Sequence, residues 1–310
     1  MNEASLIGLC AATVSFGALL YLAALGEMVS EKAGILNLGV EGMMAMGAVT
    51  GFMTALEFGN PWLALAVAVL VGALVALLHG WFTVVLGAEQ VVSGLSLTIL
   101  GLGLAAYLGK NAVGRPPGAV LAPVDWPVLS DIRWVGPVLF QQSPMVYLSV
   151  LVGVVVWFVL SRTRTGLALR AAGESASTAD AAGHSIVGLR LAAVAVGGGL
   201  AGASGAYLTL SLTPQWAEGI TAGRGWIAVA LVIFGAWKPG RVALGALLFG
   251  GTLALKTRLQ TFGVDFSPIL LSMLPYLLTI GVLVVISVRA RNRPSPAPAS
   301  LGIAYRREER

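Results

Sequence analysis

Asn37 and Glu41 stand four positions apart in GILNLGVEGMM, so a helix through this stretch sets an amide and a carboxylate on one face. A carboxylate at membrane depth is costly unless it faces water or a partner, which makes Glu41 a candidate for a solute path. It also lies only about 10 Å along a helix from Gly34, close enough to a boundary to pair with Lys32 instead. Both readings stay open. A second polar set, Glu89, Gln90, Ser93, Ser96 and Thr98, opens another apolar run. Gln90 and Ser93 are candidates for the same path, while Glu89 also suits a helix N-terminus, whose dipole favours a carboxylate. Trp226 and Tyr276 could stack on a planar or sugar ligand, or simply pack. Thr252, Ser272 and Thr279 complete the polar groups near or within apolar runs.

Catalytic chemistry is missing. Gly109-Lys110 is followed by Asn111, so the G-x-x-x-x-G-K-[ST] phosphate loop is not there. His79 and His184 have no second ligand at metal spacing, and no metal or cofactor is expected. No Gly-x-Ser-x-Gly elbow occurs. Cys10, the lone cysteine, cannot form an internal disulfide and reads as a small core residue.

These residues must be positioned within a membrane. Of 310 residues 57% are hydrophobic and 11% charged, and the mean hydropathy is +0.87, far from soluble averages. The expected fold is an all-α polytopic bundle of about nine transmembrane helices (8–10): Ala4–Leu25, Gly34–Leu56, Trp62–Leu86, Val91–Gly109, Pro144–Leu160, Leu191–Leu212, Gly219–Trp237, Val242–Leu259 and Phe266–Val288. The first run has no Lys or Arg before it and reads as a retained helix rather than a signal peptide. The formal charge of +5 is spread between apolar runs and over the last segment, so nucleic acid is not an expected partner. Alternating the loops puts most of the 19 basic residues on one side, the cytoplasmic one by the positive-inside rule: Lys32, Arg162, Arg164, Arg170, Arg190, Lys238, Arg241 and the tail arginines. Residues 1–288 form one membrane domain and 289–310 a basic cytoplasmic tail.

Two spans are poor as plain membrane helices. Gly34–Leu56 carries Gly34, Gly39 and Gly42, and Gly219–Trp237 opens GITAGRGW; such Gly-broken segments point to a solute path in transporters. Leu191–Leu212 places Gly197, Ala201 and Gly205 at four-residue spacing, which lets helix backbones approach closely, in this chain or another. Between Lys110 and Ser143, Pro116, Pro117, Pro123, Pro127 and Pro137 exclude a helix of ordinary length, so 110–143 is an irregular extracytoplasmic cap. The polar interruption Ser161–Arg190 is the cytoplasmic loop that something on the water side must read.

GEMVSEKAGILNLGVEGMMAMGA (Gly26–Ala48), EQVVSGLSLTILGLG (Glu89–Gly103) and LRAAGESASTADAAGHSI (Leu169–Ile186) resemble the permease subunits of ATP-binding-cassette (ABC) importers in the branch for simple sugars, nucleosides and branched-chain amino acids. The N-L-G-V-E-G-M form looks most like nucleoside permeases. The resemblance implies a type II-like importer transmembrane domain in the bacterial inner (plasma) membrane. It also implies separate ABC ATPase subunits, a second permease subunit and an extracytoplasmic substrate-binding protein. A short helix inserted into the ATPase would be Arg170–Gly183, with Arg170, Gly173, Glu174, Asp180 and Gly183 as coupling residues. Ser175, Ser177 and Thr178 stand where the family often has Asn-Pro-Arg or similar. The competing class is a self-sufficient secondary carrier or channel, which has no use for that helix.

Overall fold

In the computed structural model, residues 3–261, 273–275, 277–282, 284, 288 and 296–306 are described. The helices are α1 (Glu3–Lys32), α2 (Val40–Phe58), α3 (Pro61–Gly80), α4 (Gln90–Gly109), α5 (Pro144–Arg162), α6 (Arg164–Glu174), α7 (Ala176–Ala181), α8 (Ile186–Tyr207), α9 (Arg224–Phe234) and α10 (Pro239–Thr261). Six of these stretches are long and apolar enough to cross a membrane: α1, α3 with its continuation to Val85, α4, α5, α8 with its continuation to Leu212, and α10 up to Leu259. The expected count of about nine spans is therefore met only in part. Residues of the expected last span, Tyr276 included, lie partly outside the described residues.

Of the spans expected wholly within the described residues, the two Gly-broken ones fall short: α2, at 19 residues, is as long as α5 but carries Glu41 and Glu57, so it fails on apolarity and not on length. Residues 34–39 do not continue a helix, since Gly34 has φ +88° and helicity resumes only at Val40. Gly219, Ala222 and Gly223 all have positive φ, so α9 is confined to 11 residues, too few for a span of about 20. The first helix, by contrast, runs on to Lys32, past the expected end at Leu25, and carries Glu27 and Glu31 into the interior, each 1% exposed. Cys10 corrects another expectation: the early turns of α1 are only partly covered, and the thiol is exposed rather than in the core.

α8 is the centre of the bundle and the most deeply buried of the six spans. Its small residues account for this. A methyl group on Gly197 would strike Ser30, one on Gly198 the backbone of Gly72, and one on Gly205 the backbone of Met44, so α8 lies against α1, α3 and α2 at once. The close-approach face thus has its partners within this chain. Hydrogen bonds replace the missing hydrophobic drive between these helices: Ser204 Oγ donates to Leu19 O at 2.8 Å and Thr209 Oγ1 to Ala48 O at 3.0 Å.

The segment 110–143 is irregular, as the prolines require. Val124–Asp125 pairs antiparallel with Gln141–Gln142, and Gln142 ties the cap to α1 by donating to Ala11 O at 3.3 Å and accepting from Ser15 Oγ at 2.7 Å. Trp126 and Trp134 remain exposed.

Candidate functional site

The loop 33–39 is built from outside itself. Glycine at 34 permits the turn, and side chains of three helices then satisfy its backbone. From α1, Glu27 Oε1 accepts from Asn37 N at 2.9 Å. From α4, Gln90 Oε1 accepts from Leu36 N at 2.7 Å, and Thr98 Oγ1 donates to Leu38 O at 2.8 Å. From α3, His79 lies 3.2 Å from Leu36 O through Nε2 and 3.0 Å from Ser93 Oγ through Nδ1. Asn37 closes the loop on itself, its Oδ1 accepting from Gly39 N at 3.0 Å. Asn37, Gln90 and Ser93 are therefore brought together, Gln90 through the loop backbone and Ser93 through His79. Gln90 Nε2 is buried there with no hydrogen-bond partner among the described residues, while Glu27 Oε2 faces the equally buried Glu31 one turn on in α1, so that a single proton shared between them pairs the two carboxyl groups. Arg190 Nη2, beside Gly34 of the same loop, is likewise buried without a partner among the described residues.

Glu41 belongs to a different part of the same locus. Its carboxylate, 3% exposed, reaches across to the start of α9 and accepts from Thr221 Oγ1 at 2.6 Å, Gly223 N at 2.8 Å and Gly225 N at 2.6 Å. It satisfies N–H groups that a helix beginning at Arg224 leaves open, and its charge sits at the positive end of that helix. The pairing with Lys32 considered from sequence does not form; the partner is α9. Gly225 is required here, since a methyl group on it would lie 2.6 Å from the Glu41 Cα. Trp226, half-buried, follows directly on this contact. The two Gly-broken segments are thus joined through one carboxylate.

Glu89 is the N-cap of α4, accepting from Val91 N at 3.1 Å and Val92 N at 2.6 Å, so the capping reading of this residue holds.

On the basic side, the single helix expected over Arg170–Gly183 is two. Ser175 is extended (φ −151°, ψ 97°), ending α6 at Glu174, and its hydroxyl accepts from Thr178 N at 3.3 Å to start α7. Serine competes for local backbone groups and favours such a break over a continuous helix. Gly183, with φ +88°, ends the unit. Arg170 and Glu174 are exposed, Asp180 is half-buried, and Gly173 is buried so tightly against Lys32 that a side chain would strike its carbonyl.

The chain's last described segment, 296–306, lies across this unit. Ser300 N donates to Gly173 O at 2.8 Å, Ser300 Oγ to Glu174 O at 3.1 Å, and Tyr305 OH to Asp180 Oδ2 at 2.9 Å. Gly302 N reaches Gly34 O at 3.3 Å. Arg190, taken from sequence as a loop arginine, is 2% exposed on the first turn of α8 and donates to both Ala33 O and Ile303 O at 3.2 Å. The expected basic tail is therefore in part a strap joining α6, α7 and the 33–39 loop.

Sequence reasoning missed His79, Glu27, Thr221 and Arg190 as members of these networks. His79 and Glu27 carried a usable signal, as ionisable side chains within or at the end of an apolar run; Thr221 carried none.

Residues 9–283 match the family model described as branched-chain amino acid transport system / permease component. The chain is 39% identical to a putative glucose ABC transporter permease, TsgC13, of Haloferax volcanii, covering 97% of this chain and 98% of the relative. It is 34% identical to the nucleoside permease NupC of Lactococcus lactis (85% and 87% covered) and 33% identical to the guanosine permease NupQ of Bacillus subtilis (87% and 88% covered). No solved structure matches the chain.

Proposed function

The chain belongs to the branched-chain amino acid transport system / permease component family, and from that premise we propose the solute and working parts of what is a multi-pass membrane permease subunit of an ABC transporter, not an enzyme. The family implies ATPase and binding-protein partners in general, so the rival class of a self-sufficient carrier or channel is set aside.

The solute is a nucleoside. The N-L-G-V-E-G-M motif and the names of two relatives favour it, and the glucose permease of Haloferax volcanii makes simple sugars the second reading. The observation that carries a polar, hydroxylated solute is the 33–39 loop, where Asn37, His79, Gln90 and Ser93 meet and Gln90 Nε2 is buried with no partner among the described residues. A ribose or hexose ring offers hydroxyls that can pair with these polar side chains once alternating access opens the locus. Asn37, Gln90, Ser93 and His79 line the path, Glu41 holds α9 in place beside it, and Trp226 and Tyr276 stack on the ring.

On the cytoplasmic side α6 and α7 dock on an ATPase, with Arg170, Glu174 and Asp180 as coupling residues and Gly173 and Gly183 setting the shape of the unit. A second permease subunit, identical or different, completes the pore. The full complement is about nine spans, with α2 and α9 as the two broken ones and the last within residues 266–288.

The test is uptake into proteoliposomes holding the permease with its ATPase and binding protein. ATP-dependent accumulation of labelled guanosine or adenosine, inhibited by other nucleosides and not by glucose, supports the reading. Glucose uptake that nucleosides do not inhibit moves the assignment to sugars, and accumulation without the ATPase sinks the coupling scheme.

A further inference from the structure

Where the ends of α1 and α5 meet α6 and the turn between α9 and α10, the surface encloses a cavity of about 550 Å³. Four of its lining residues are cations, Lys32, Arg170, Lys238 and Arg241, and none is acidic. Glu31 and Glu174 lie near enough to act on Lys32, and their hydrogen bonds from the Trp237 indole and the Ala299 N–H do not remove that attraction, so Lys238 and Arg241, both exposed, are the cations most open to a ligand. Among the described residues none of the four cations forms an ion pair. The first turn of α10, Pro239 to Arg241, adds the positive end of a helix to the same wall.

The rest of the lining is apolar and aromatic. Leu160 and Trp237 are buried in the floor, whereas Trp157 is 48% exposed at the rim. From Trp157 an exposed apolar face runs back along α5 through Val154, Leu151 and Val150. A concentrated positive cavity thus opens at the end of a helix whose outer face is hydrocarbon-like, with a tryptophan at the join. Tryptophan is favoured at headgroup level, and basic pockets between membrane helices on the cytoplasmic side suit anionic headgroups.

We infer that this cavity binds the phosphodiester headgroup of an anionic phospholipid of the cytoplasmic leaflet, with the acyl chains lying along the exposed face of α5. The nearest chemical alternatives are a free phosphate group and an acidic surface of the ATPase. The continuous apolar face beside the cations favours the lipid, because neither alternative has any use for it.

The proposal is tested on the permease–ATPase complex purified in mild detergent, with phosphatidylglycerol or phosphatidylcholine added and bound lipid counted by native mass spectrometry. Phosphatidylglycerol is expected to be retained roughly tenfold better than phosphatidylcholine, and the K32Q/K238Q/R241Q variant to lose that preference. K238Q and R241Q alone, both at exposed positions, each lower it several-fold and serve if the triple variant is not recovered. Equal retention of the two lipids by the unaltered complex overturns the proposal, as does undiminished preference in the variants. Displacement of phosphatidylglycerol by millimolar inorganic phosphate would assign the cavity to a free anion. Loss of the ATPase from the variant with lipid retention intact would assign it to the partner protein. The test reads lipid and not solute, so it stands whichever solute the permease carries.

Discussion

Glu41 shows how one residue can be singled out by sequence and still be misjudged. Its cost at membrane depth made it conspicuous, but the three donors that offset that cost lie some 180 residues away, in a stretch whose own pattern says only that glycines interrupt it. Three hydrogen bonds accepted by one buried carboxyl group define the consequence of changing it. Glu41→Gln must turn its amide N–H₂ either toward Gly225 N or toward both Thr221 Oγ1 and Gly223 N, leaving buried groups unpaired at a cost of about 2–3 kcal/mol. The expected result is a lower unfolding temperature in detergent together with reduced uptake. Unchanged stability and uptake would show that the carboxylate does not hold α9. Gly225→Ala, whose methyl group meets the Glu41 backbone, should abolish stable protein altogether, read as loss of the monodisperse peak in size-exclusion chromatography. His79 belongs at this scale too: its sequence neighbours gave no metal spacing, and its two actual partners, Ser93 and Leu36 O, come from elements that only the fold brings beside it.

At the scale of elements, long apolar runs were legible because hydropathy alone sets them, and the ends of α4 and α5 followed from their polar neighbours, the Glu89 cap and the Ser143-Pro144 start. The strap was not legible. Most of its hydrogen bonds join backbone groups to backbone or side chains, and backbone pairing leaves no periodic trace in a short Pro- and Ala-containing segment. Its consequence is specific. The strap fixes Gly173 and Glu174 relative to Gly34, so it links the unit proposed to face the ATPase to the loop proposed to meet the solute. A chain ending before Pro296 should still insert, since no spanning helix is removed, but should transport less solute per ATP hydrolysed. Measuring uptake and ATPase rate on the same proteoliposomes separates the outcomes: an unchanged ratio would mean that the strap only covers surface. Ser175→Ala removes the α7 cap and should cost about 1 kcal/mol of stability, visible as a small drop in melting temperature, without loss of insertion.

For the whole molecule, α8 matters because it starts just past the short turn 182–185 that follows α7 and lies against α1, α2 and α3 with almost no intervening side chain. Such backbone contact cannot absorb a shift by rotamer changes, so under the proposed coupling a displacement of α7 would be passed through Ile186 and Arg190 to three helices together. The spacing of small residues in Leu191–Leu212 forecast close contact but could not say that one chain supplies all of it, because spacing encodes distance of approach and not the identity of the neighbour. The contact also makes a graded prediction within a single helix. A methyl group on Gly202 would strike the carbonyl of Ala68 and sit 3.1 Å from the Gly72 Cα, all backbone, whereas one on Gly199 first meets the Cγ1 of Val69 at 3.3 Å, a side-chain methyl able to yield. Gly202→Ala should therefore force α3 away from α8, lowering folded yield sharply and loosening coupling in whatever protein survives. Gly199→Ala should stay within about 1 kcal/mol of the unaltered chain, helped by the better helix propensity of alanine. Thermal unfolding of the two variants in the same detergent decides it. If both behave alike, α8 is not the rigid axis through which movement at the basic face reaches the 33–39 loop, and the motion must run through the strap alone.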